Sequence, residues 1–432
     1  MTRGLQPPGD TGHDGRMPDL LDPQRTIREL EELRALTGDP NGAQRLAFTP
    51  TWQRARAWFR ERLAGLPVET HADAAGNVWT TLAGASPRAV VIGSHIDSVP
   101  NGGWLDGCLG LLAGVEVLRR VAAEHAGRPP VTLRVVDWAD EEGARFGKSL
   151  FGSAACSGSL DLEEARQLVD KQGVRLPDAL REVGIDFERV KESHRELTDA
   201  AAYLELHIEQ GPVLLDLGVP LGAVLGTFGV ERHAITFRGQ AAHSGSTPMN
   251  RRRDAFLAAA KMGQEIYSIA ARSNGGVCTI GSCTTRPGIV TSVVEECRIT
   301  LDCRHLDPAA LAQMHAEARA AADRFAAEGD VAVSWERLWH IDPAPFHPEL
   351  VAFADACIRE TCGVSHRLPS GPLHDAAEMA MAGVPTAMLF VQSLRGISHN
   401  KIEDTRRDHL ELAVAALDRL AEKTMRWVAA GA

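Results

Sequence analysis

Three apolar runs of strand length constrain the fold of this chain more than any other feature. They cover residues 89–96 (AVVIGSHI), 131–139 (VTLRVVDWA) and 384–391 (VPTAMLFV), and a shorter strand is predicted over 204–208. Such runs are typical of parallel strands buried on both faces of a sheet. Because a helical pattern over 110–126 separates the first two, the sequence predicts an α/β fold with a mixed, mostly parallel sheet flanked by helices.

The pattern changes after Pro220, which predicts an inserted domain. Strand-like and helical segments there follow the order β-α-β-β-α, typical of a small α+β sandwich with helices on one face of its sheet. The segments are 223–239, 253–272, 277–284, 295–304 and 308–329. We therefore expect an inserted domain over 221–334 within a larger domain formed by 21–220 and 335–432. Residues 1–20 are rich in Gly, Pro and Asp and are predicted to be disordered.

Composition excludes several classes of protein. The net charge of -11 argues against a nucleic-acid partner, which would need a clustered basic face. No apolar run is long enough for a membrane span, and the N-terminus lacks the apolar core of a signal peptide. The eight cysteines form no C-x-x-C pair, so free thiols and a cytoplasmic location are the simplest interpretation.

Five potential metal ligands lie in five separate segments, most of them close to a predicted strand end. They are His95, Asp106, Glu142, His207 and His399. Imidazole nitrogens and carboxylate oxygens are the ligands of hydrolytic metal ions, and a carboxylate such as that of Asp106 can bridge two of them. Glu141 stands beside Glu142 and points the opposite way on extended backbone, so it can act as general base near the metal.

Each of these residues has a structural interpretation when taken alone. A single H-x-D after a strand is more often structural, and an acidic run at a helix start can serve only the helix dipole. His374 could contact a metal ligand or be structural, and His243 could polarise a carbonyl oxygen. The combination of five ligands favours a two-metal hydrolase. Neither a G-x-S-x-G elbow nor a P-loop is present.

Five segments together resemble the hydantoinase/carbamoylase amidases. The segments are GSHIDSVPNGGWLDG, DEEGARF, HIEQGPVL, AAHSGSTPMNRRRDA and GISHNKIED. This branch of the dinuclear-zinc aminoacylase and carboxypeptidase family includes N-carbamoyl-L-amino-acid hydrolases, β-ureidopropionase and allantoate amidohydrolase. The resemblance covers residues 25–428 or so, and a histidine at position 207 favours the amidase branch, since peptidase relatives tend to carry a carboxylate there.

The resemblance implies a catalytic, zinc-exopeptidase-like domain interrupted by a dimerisation (lid) domain. It implies one metal held by His95, Asp106 and His207, and a second held by Asp106, Glu142 and His399. Zn²⁺ or Mn²⁺ is expected, with Co²⁺ or Ni²⁺ also compatible with the ligands. Glu141 would be the base, and the enzyme would be a homodimer.

The resemblance also implies roles for substrate-binding residues. Arg304 would grip the substrate carboxylate, and His243 would stabilise the oxyanion, acting in the partner subunit's active site. Gln210 and Gly396 would line the pocket. Two positions depart from the family pattern: Thr291 replaces the usual asparagine thirteen residues before Arg304, and Leu373 replaces a glycine.

The sequence therefore predicts a metal-dependent amidohydrolase that cleaves an amide or ureido C–N bond of a small carboxylate-bearing substrate. An N-carbamoyl-L-amino acid or an allantoate-like compound fits best. Because of Thr291 and Leu373, an aminoacylase or dipeptidase on the same metal site is the alternative. A binding protein on an inactive hydrolase scaffold is disfavoured because Glu141 and all five ligands are present.

Overall fold

The computed structural model describes residues 20–431, so the N-terminus predicted to be disordered lies, but for Leu20, outside the described residues. Within this range the chain forms a nine-stranded mixed sheet, a four-stranded antiparallel sheet and a two-stranded hairpin. None of the helices in this range is both long and apolar enough to cross a membrane.

The strands of residues 20–431 are β1 Gly38–Asp39, β2 Gly42–Ala43, β3 Glu69–Ala72, β4 Val78–Leu82, β5 Ser86–His95, β6 Val131–Trp138, β7 Ala200–Ile208, β8 Leu221–Thr227, β9 Gly229–Arg238, β10 Val277–Arg286, β11 Glu296–His305, β12 Ala332–Ile341, β13 Ala344–Pro345, β14 His366–Ser370 and β15 Thr386–Val391. The helices are α1 Pro23–Thr37, α2 Pro50–Arg62, α3 Cys108–Glu124, α4 Phe151–Ser157, α5 Leu162–Gln167, α6 Leu176–Glu182, α7 Val213–Leu217, α8 Ala255–Arg272, α9 Pro308–Glu328, α10 Pro348–Cys362, α11 Asp375–Met381 and α12 Arg407–Ala429.

The large sheet is parallel at its centre and antiparallel towards its edges. Its order is β13-β8-β15-β7-β5-β6-β4-β3, and β14 pairs with β8. The strands β15, β7, β5 and β6 pair in parallel, whereas β4 and β8 run antiparallel to their neighbours in this central group. This confirms the predicted α/β class with a mostly parallel central sheet.

Helices cover both faces of the large sheet. On one face Leu30 of α1, Val115 of α3 and Leu417 of α12 belong to the main hydrophobic cluster. On the other face Trp138 of β6 and Met379 of α11 belong to a second cluster. Both β6 and β15 are buried along their whole length, and β15 is almost entirely apolar, whereas β6 also contains Thr132, Arg134 and Asp137.

The inserted domain is a four-stranded antiparallel sheet of order β10-β11-β9-β12. The helices α8 and α9 pack on one of its faces around a core that includes Met262, Met314 and Phe237. Asp residues begin both helices: Asp254 accepts hydrogen bonds from two amides of α8, and Asp307 accepts one from α9, where Pro308 follows directly. Such caps satisfy amides that a helix leaves unpaired.

Both boundaries of the inserted domain lie later in the sequence than the pattern predicted. Residues 221–227 form β8, which pairs with β15 in the large sheet, and residues 332–341 form β12, which pairs with β9 in the small one. The predicted boundaries at 221 and 334 were therefore wrong by about eight residues, because only Phe228 separates two strands of similar composition. The inserted domain spans 229–341 and ends with a strand that the predicted order β-α-β-β-α lacked.

The large domain begins with two helices, α1 and α2. They are separated by the hairpin of β1 and β2. The sequence GDPNG at 38–42 carries the turn residues that end the first helix. Thr49 and Pro50 then begin the second. All eight cysteines are free thiols in this structure.

Candidate metal centre

Four neighbouring parallel strands bring the predicted ligands to one edge of the large sheet. His95 is the last residue of β5, Glu142 follows β6, His207 lies at the end of β7, and His399 lies in the loop after β15. Since the carboxyl ends of parallel strands meet at one edge, ligands that are far apart in sequence converge there. Asp106 reaches the same edge from the turn before α3.

A glycine makes room for the turn that carries Asp106. Gly107 has a φ of +66°, and a Cβ at this position would lie 2.4 Å from Cε1 of His95. A side chain would therefore be strained by its backbone and would also collide with the imidazole. This explains why a glycine follows the aspartate.

The five side chains form two clusters that share Asp106. In one, Asp106 Oδ1 lies 3.1 Å from His207 Nε2 and 3.7 Å from His95 Nε2. In the other, His399 Nε2 lies 3.4 Å from Asp106 Oδ2 and 3.3 Å from Glu142 Oε2. The ligand atoms of each cluster could hold one metal ion. Each oxygen of Asp106 thus faces a different cluster.

The spacing of these atoms fits metal ligation. Two ligands at 2.0–2.2 Å from a tetrahedral zinc ion lie about 3.3–3.5 Å apart. The four nitrogen–oxygen distances in the clusters, 3.1 to 3.7 Å, are distributed around that value. In addition, Nε2 of His95 is buried and has no hydrogen-bond partner. The clusters are therefore suited to cations.

Hydrogen bonds orient the histidines so that a lone pair faces Asp106. Nδ1 of His207 lies 3.0 Å from the carbonyl oxygen of Ile208, and Nδ1 of His95 lies 3.2 Å from that of Asp97. Donation through Nδ1–H leaves Nε2 unprotonated and free to ligate. The amide of Gln210 donates to His399 Nε2 at 3.3 Å, which also identifies that nitrogen as an acceptor.

Electrostatics at the site favour cations. Burial alone would raise the pKa of Asp106, but the neighbouring imidazoles of His207, His95 and His399 lower it below its ordinary value. Burial lowers the pKa of His95, yet the carboxylates of Glu141, Asp97 and Asp106 outweigh this effect and raise it. The surroundings thus stabilise positive charge at a buried position.

The predicted base, Glu141, lies beside the first cluster. Its Oε2 lies 3.6 Å from His95 Nε2, and only 7 % of its surface is exposed. Burial and the neighbouring carboxylates of Asp375, Glu142 and Asp97 raise the pKa of Glu141, although His95 opposes the shift. A carboxylate in such surroundings is a good proton acceptor.

Asp97 supports the metal centre, although the sequence pattern indicated no specific role for it. This fully buried carboxylate accepts hydrogen bonds from the amides of Glu141 (3.3 Å) and Glu142 (3.2 Å). Its Oδ1 also lies 3.5 Å from His95 Nδ1. Asp97 therefore fixes a predicted ligand and the predicted base relative to each other. The H-x-D spacing after a strand was the signal that could have identified it.

Glu403 connects the turn of Asp106 to the loop of His399, and nothing in the sequence pattern indicated this. Its Oε1 accepts the amides of Leu105 and Asp106, both at 3.1 Å, and its Oε2 accepts the hydroxyl of Ser398 at 3.1 Å. Burial and the charge of Asp106 raise the pKa of Glu403 to about 7. The hydroxyl of Ser398 also lies 2.9 Å from Asp106 Oδ2.

Gln210 and Gly396, predicted to line the substrate pocket, lie at the rim of this centre. The Gln210 side chain donates to Asp106 Oδ2 at 2.9 Å and to Ser398 at 3.0 Å. Gly396 has a φ of +60°, and a Cβ there would lie 2.8 Å from Pro212. In this structure Gln210 therefore holds the shared carboxylate, and Gly396 shapes the loop that carries His399.

His374 contacts a predicted ligand, and Arg304 contacts the loop that precedes His374. The buried His374 ring packs on His207 with 4.4 Å between ring centroids, so the contact with a ligand expected for His374 is present. Arg304 pairs with Asp302 at 2.8 Å and donates to the carbonyl of Gly371 at 3.0 Å. Arg304 thus joins the inserted domain to the loop before His374. It lines a cavity of about 580 Å³.

His243 and Thr291 lie together on exposed loops of the inserted domain. His243 Nδ1 accepts the amides of Gly245 and Ser246 at 3.1 and 3.2 Å, so the ring proton is on Nε2. The carbonyl of Thr291 accepts the amide of Ser244 at 2.9 Å. Among residues 20–431, no hydrogen bond or ion pair connects either side chain to the five predicted ligands.

Comparison with known proteins identifies the family. The model of peptidase family M20/M25/M40 matches residues 91–423. The N-carbamoyl-L-amino acid amidohydrolase of Geobacillus stearothermophilus is 36% identical over 89% of this chain and 94% of its own length. The allantoate amidohydrolase of Escherichia coli K12 is 35% identical over 90% of this chain and 94% of its own.

A solved structure supports the same assignment. The hydantoinase/carbamoylase family amidase of Burkholderia ambifaria superposes with a TM-score of 0.82 at 33% identity, covering 93% of this chain and 97% of its own. The resemblance deduced from the five sequence segments is thereby confirmed. The chain belongs to peptidase family M20/M25/M40 and, within it, to the hydantoinase/carbamoylase amidases.

Proposed function

We propose that the two clusters hold two divalent metal ions, Zn²⁺ or Mn²⁺, and that the chain uses them to hydrolyse a C–N bond of a small carboxylate-bearing substrate. The relatives are amidohydrolases of non-peptide C–N bonds, and this chain is an amidohydrolase of the same kind. The observation that carries the proposal is the sharing of Asp106 by two ligand sets, with Glu141 directly beside one of them.

The protein groups have distinct parts in this reaction. Bound metal ions would lower the pKa of a water molecule and polarise the substrate carbonyl. Glu141 takes up the proton of the attacking water and passes it to the leaving nitrogen, for which its buried position next to His95 is suited. His243 presents Nε2–H, which can donate to the developing oxyanion.

The substrate class follows from Arg304 and from the relatives. A guanidinium can bind a carboxylate through two parallel hydrogen bonds, and Arg304 donates to the carbonyl of Gly371 in the loop before His374. We propose an N-carbamoyl-L-amino acid or an allantoate-like compound, because the relatives are named for these substrates. Arg304 holds Asp302 in this structure, so the substrate carboxylate would share the guanidinium with it.

The Glu141→Gln variant tests the assigned chemistry. Glutamine keeps the size of the side chain but cannot accept a proton, so we expect kcat to fall by on the order of 10²–10⁴. Metal content measured by mass spectrometry should stay unchanged, since Glu141 is not one of the proposed ligands. Glu116→Gln is the matched control for loss of a buried carboxylate, because Glu116 is fully buried and pairs with Arg25 away from the ligands. Retained turnover in Glu141→Gln would refute the role of this residue.

A substrate panel tests the proposed class. Manganese-loaded protein should release ammonia from N-carbamoyl-L-amino acids or from allantoate. Amine release from N-acetyl-L-amino acids alone would instead show that the pocket performs aminoacylase chemistry on the same metals.

We further propose that the inserted domain forms a homodimer and that His243 acts in the partner's active site. Nine of the 17 exposed large hydrophobic side chains of residues 20–431 lie within 229–341, among them Tyr267, Val290 and Met249. Such a concentration of exposed apolar surface favours an interface. His243 is itself exposed and contacts no predicted ligand of its own chain.

Complementation between inactive variants tests this arrangement. Glu141→Gln and His243→Ala are each expected to be inactive as pure dimers. If His243 acts across the interface, subunit exchange produces mixed dimers in which one site carries both native residues, and activity returns. Absence of recovery in mixtures shown by mass spectrometry to contain mixed dimers would contradict the proposal.

A further inference from the structure

The inserted domain contains a second concentration of metal-ligating side chains, away from the centre described above. Glu231 and His233 lie two residues apart on β9 and therefore on the same face of the small sheet. His315 of α9 packs over them with its ring stacked on that of His233, at 4.4 Å between centroids. One ligand atom from each of the three residues lies within 4.8 Å of those of the other two.

These side chains have unused ligand atoms despite their burial. Glu231 and His233 are only 7 % and 3 % exposed. His233 Nε2 lies 2.8 Å from Glu231 Oε2, but Nδ1 of His233 and Nε2 of His315 are buried without any hydrogen-bond partner. Buried polar atoms without partners are rare in proteins, so each one requires an explanation.

The surroundings orient the carboxylate in the way that metal ligands are oriented. Oε1 of Glu231 lies 3.0 Å from His340 Nδ1 and 3.3 Å from Arg337 Nη2, so Oε2 remains directed at His233. His340 in turn is fixed by a contact of 3.0 Å between its Nε2 and Asp342. Supporting hydrogen bonds of this type hold ligands in place around a metal.

We propose that Glu231, His233 and His315 form a separate metal site in the inserted domain, suited to Zn²⁺. Imidazole and carboxylate ligands match this ion, and tetrahedral ligation places two ligand atoms about 3.3–3.5 Å apart. The ion would be bound by His233 Nε2 and Glu231 Oε2, whose contact of 2.8 Å must therefore open by about half an ångström on binding. Arg337, whose side chain is 58 % exposed, can move into solvent when an ion binds.

The position of this site indicates a structural role. It joins β9 to α9 and, through His340, to β12, so an ion would hold three elements of the inserted domain together. Glu231 pairs in register with Cys303, the residue before Arg304. The ion would thus stabilise the end of the sheet from which Arg304 extends. This inference does not depend on the proposed reaction.

Zinc content provides the first test. After removal of metal and reloading with Zn²⁺, we expect the wild-type chain to retain one more equivalent than His315→Gln or His233→Gln. His347→Gln is the matched control, because His347 also has a buried ring nitrogen without a hydrogen-bond partner but belongs to no group of potential metal ligands among residues 20–431. Equal zinc content in wild type and both variants would overturn the proposal. The three residues would then form only a packed polar cluster.

Tryptophan fluorescence provides a second test, in which none of the proposed ligand residues is replaced. The Trp335 ring lies 5.4 Å from that of His233 and 5.6 Å from that of His315, so bound Co²⁺ should quench its emission. The quenching should be smaller in Trp335→Phe, which retains every ligand. If wild type and Trp335→Phe lose the same emission on titration with Co²⁺, no ion binds beside Trp335 and the proposal fails. This result remains informative even if a histidine variant does not fold.

Discussion

Replacing Asp97 by asparagine removes one charge without changing the shape of the side chain. Asp97 accepts amides from two consecutive residues, one at each carboxylate oxygen. An asparagine keeps one of these oxygens and replaces the other by an NH₂ group. One backbone N–H, of Glu141 or of Glu142, then faces a donor instead of an acceptor.

The expected cost follows from these contacts. A hydrogen bond to a charged group contributes about 1.5–3 kcal/mol, and an unsatisfied buried donor costs about 1–3 kcal/mol. We therefore expect Asp97→Asn to lower the free energy of unfolding by about 2–4 kcal/mol. Because His95 keeps its bond to the Asp97 carbonyl, we expect metal affinity to fall by about tenfold, the lower end of the range for residues that orient ligands.

Two measurements and one control variant separate these effects. Denaturant unfolding of metal-free protein reports the change in stability, and competition with a chelator of known affinity reports the change in metal binding. Asp170→Asn is the matched control, because Asp170 Oδ1 also accepts two backbone amides, those of Gln172 and Val174, both at 2.9 Å. It contacts no predicted ligand, so only stability should change.

One result would exclude a role of Asp97 in metal binding. If Asp97→Asn binds metal as tightly as wild type while its unfolding free energy falls like that of Asp170→Asn, Asp97 supports only the local fold. If neither quantity changes, the two amide bonds contribute nothing measurable. In either case the positioning of Glu141 must come from other contacts.

Three further predictions concern the same centre. Gly107→Ala should weaken metal binding and destabilise the protein by about 1–3 kcal/mol, because the new Cβ is strained at positive φ and collides with His95; unchanged chelator competition would contradict this. Arg304→Lys should raise KM for carboxylate substrates with little change in kcat, since lysine cannot bind a carboxylate through two bonds, and steady-state kinetics with an unchanged KM would argue against carboxylate binding. Removal of metal by a chelator should abolish turnover and lower Tm, and re-addition of Mn²⁺ should restore both; a metal-free protein with the Tm of the loaded one would be inconsistent with filled clusters.

The sequence predicted the geometry of the ligand sets because strand ends impose it. His95, His207 and Glu142 follow or end apolar strands, and parallel strands place such residues at one edge of the sheet. Their convergence therefore required only the correct recognition of strands. Asp106 was placed by its glycine-rich turn, where Gly107 adopts a positive φ.

Contacts that depend on tertiary structure were not predictable in the same way. Glu403 lies in a loop with no periodic pattern, and its partners, Leu105 and Asp106, are almost 300 residues away. His233 and His315 come from a strand and a helix, and only the packing of α9 on β9 brings them together. The predicted domain boundary was wrong for a different reason. The sequence pattern over β8 and β9 resembles that of a single strand, although the two strands belong to different sheets.

The position of β15 has a consequence for biosynthesis. This strand, residues 386–391, lies between β7 and β8, both of which are made more than 150 residues earlier. Until it emerges from the ribosome the two earlier strands have no common partner, whereas the inserted domain is continuous in sequence and can fold beforehand. The loop after β15 carries His399, which contacts Asp106 and Glu142. The large sheet and the ligand set are therefore completed together, late in the synthesis of the chain.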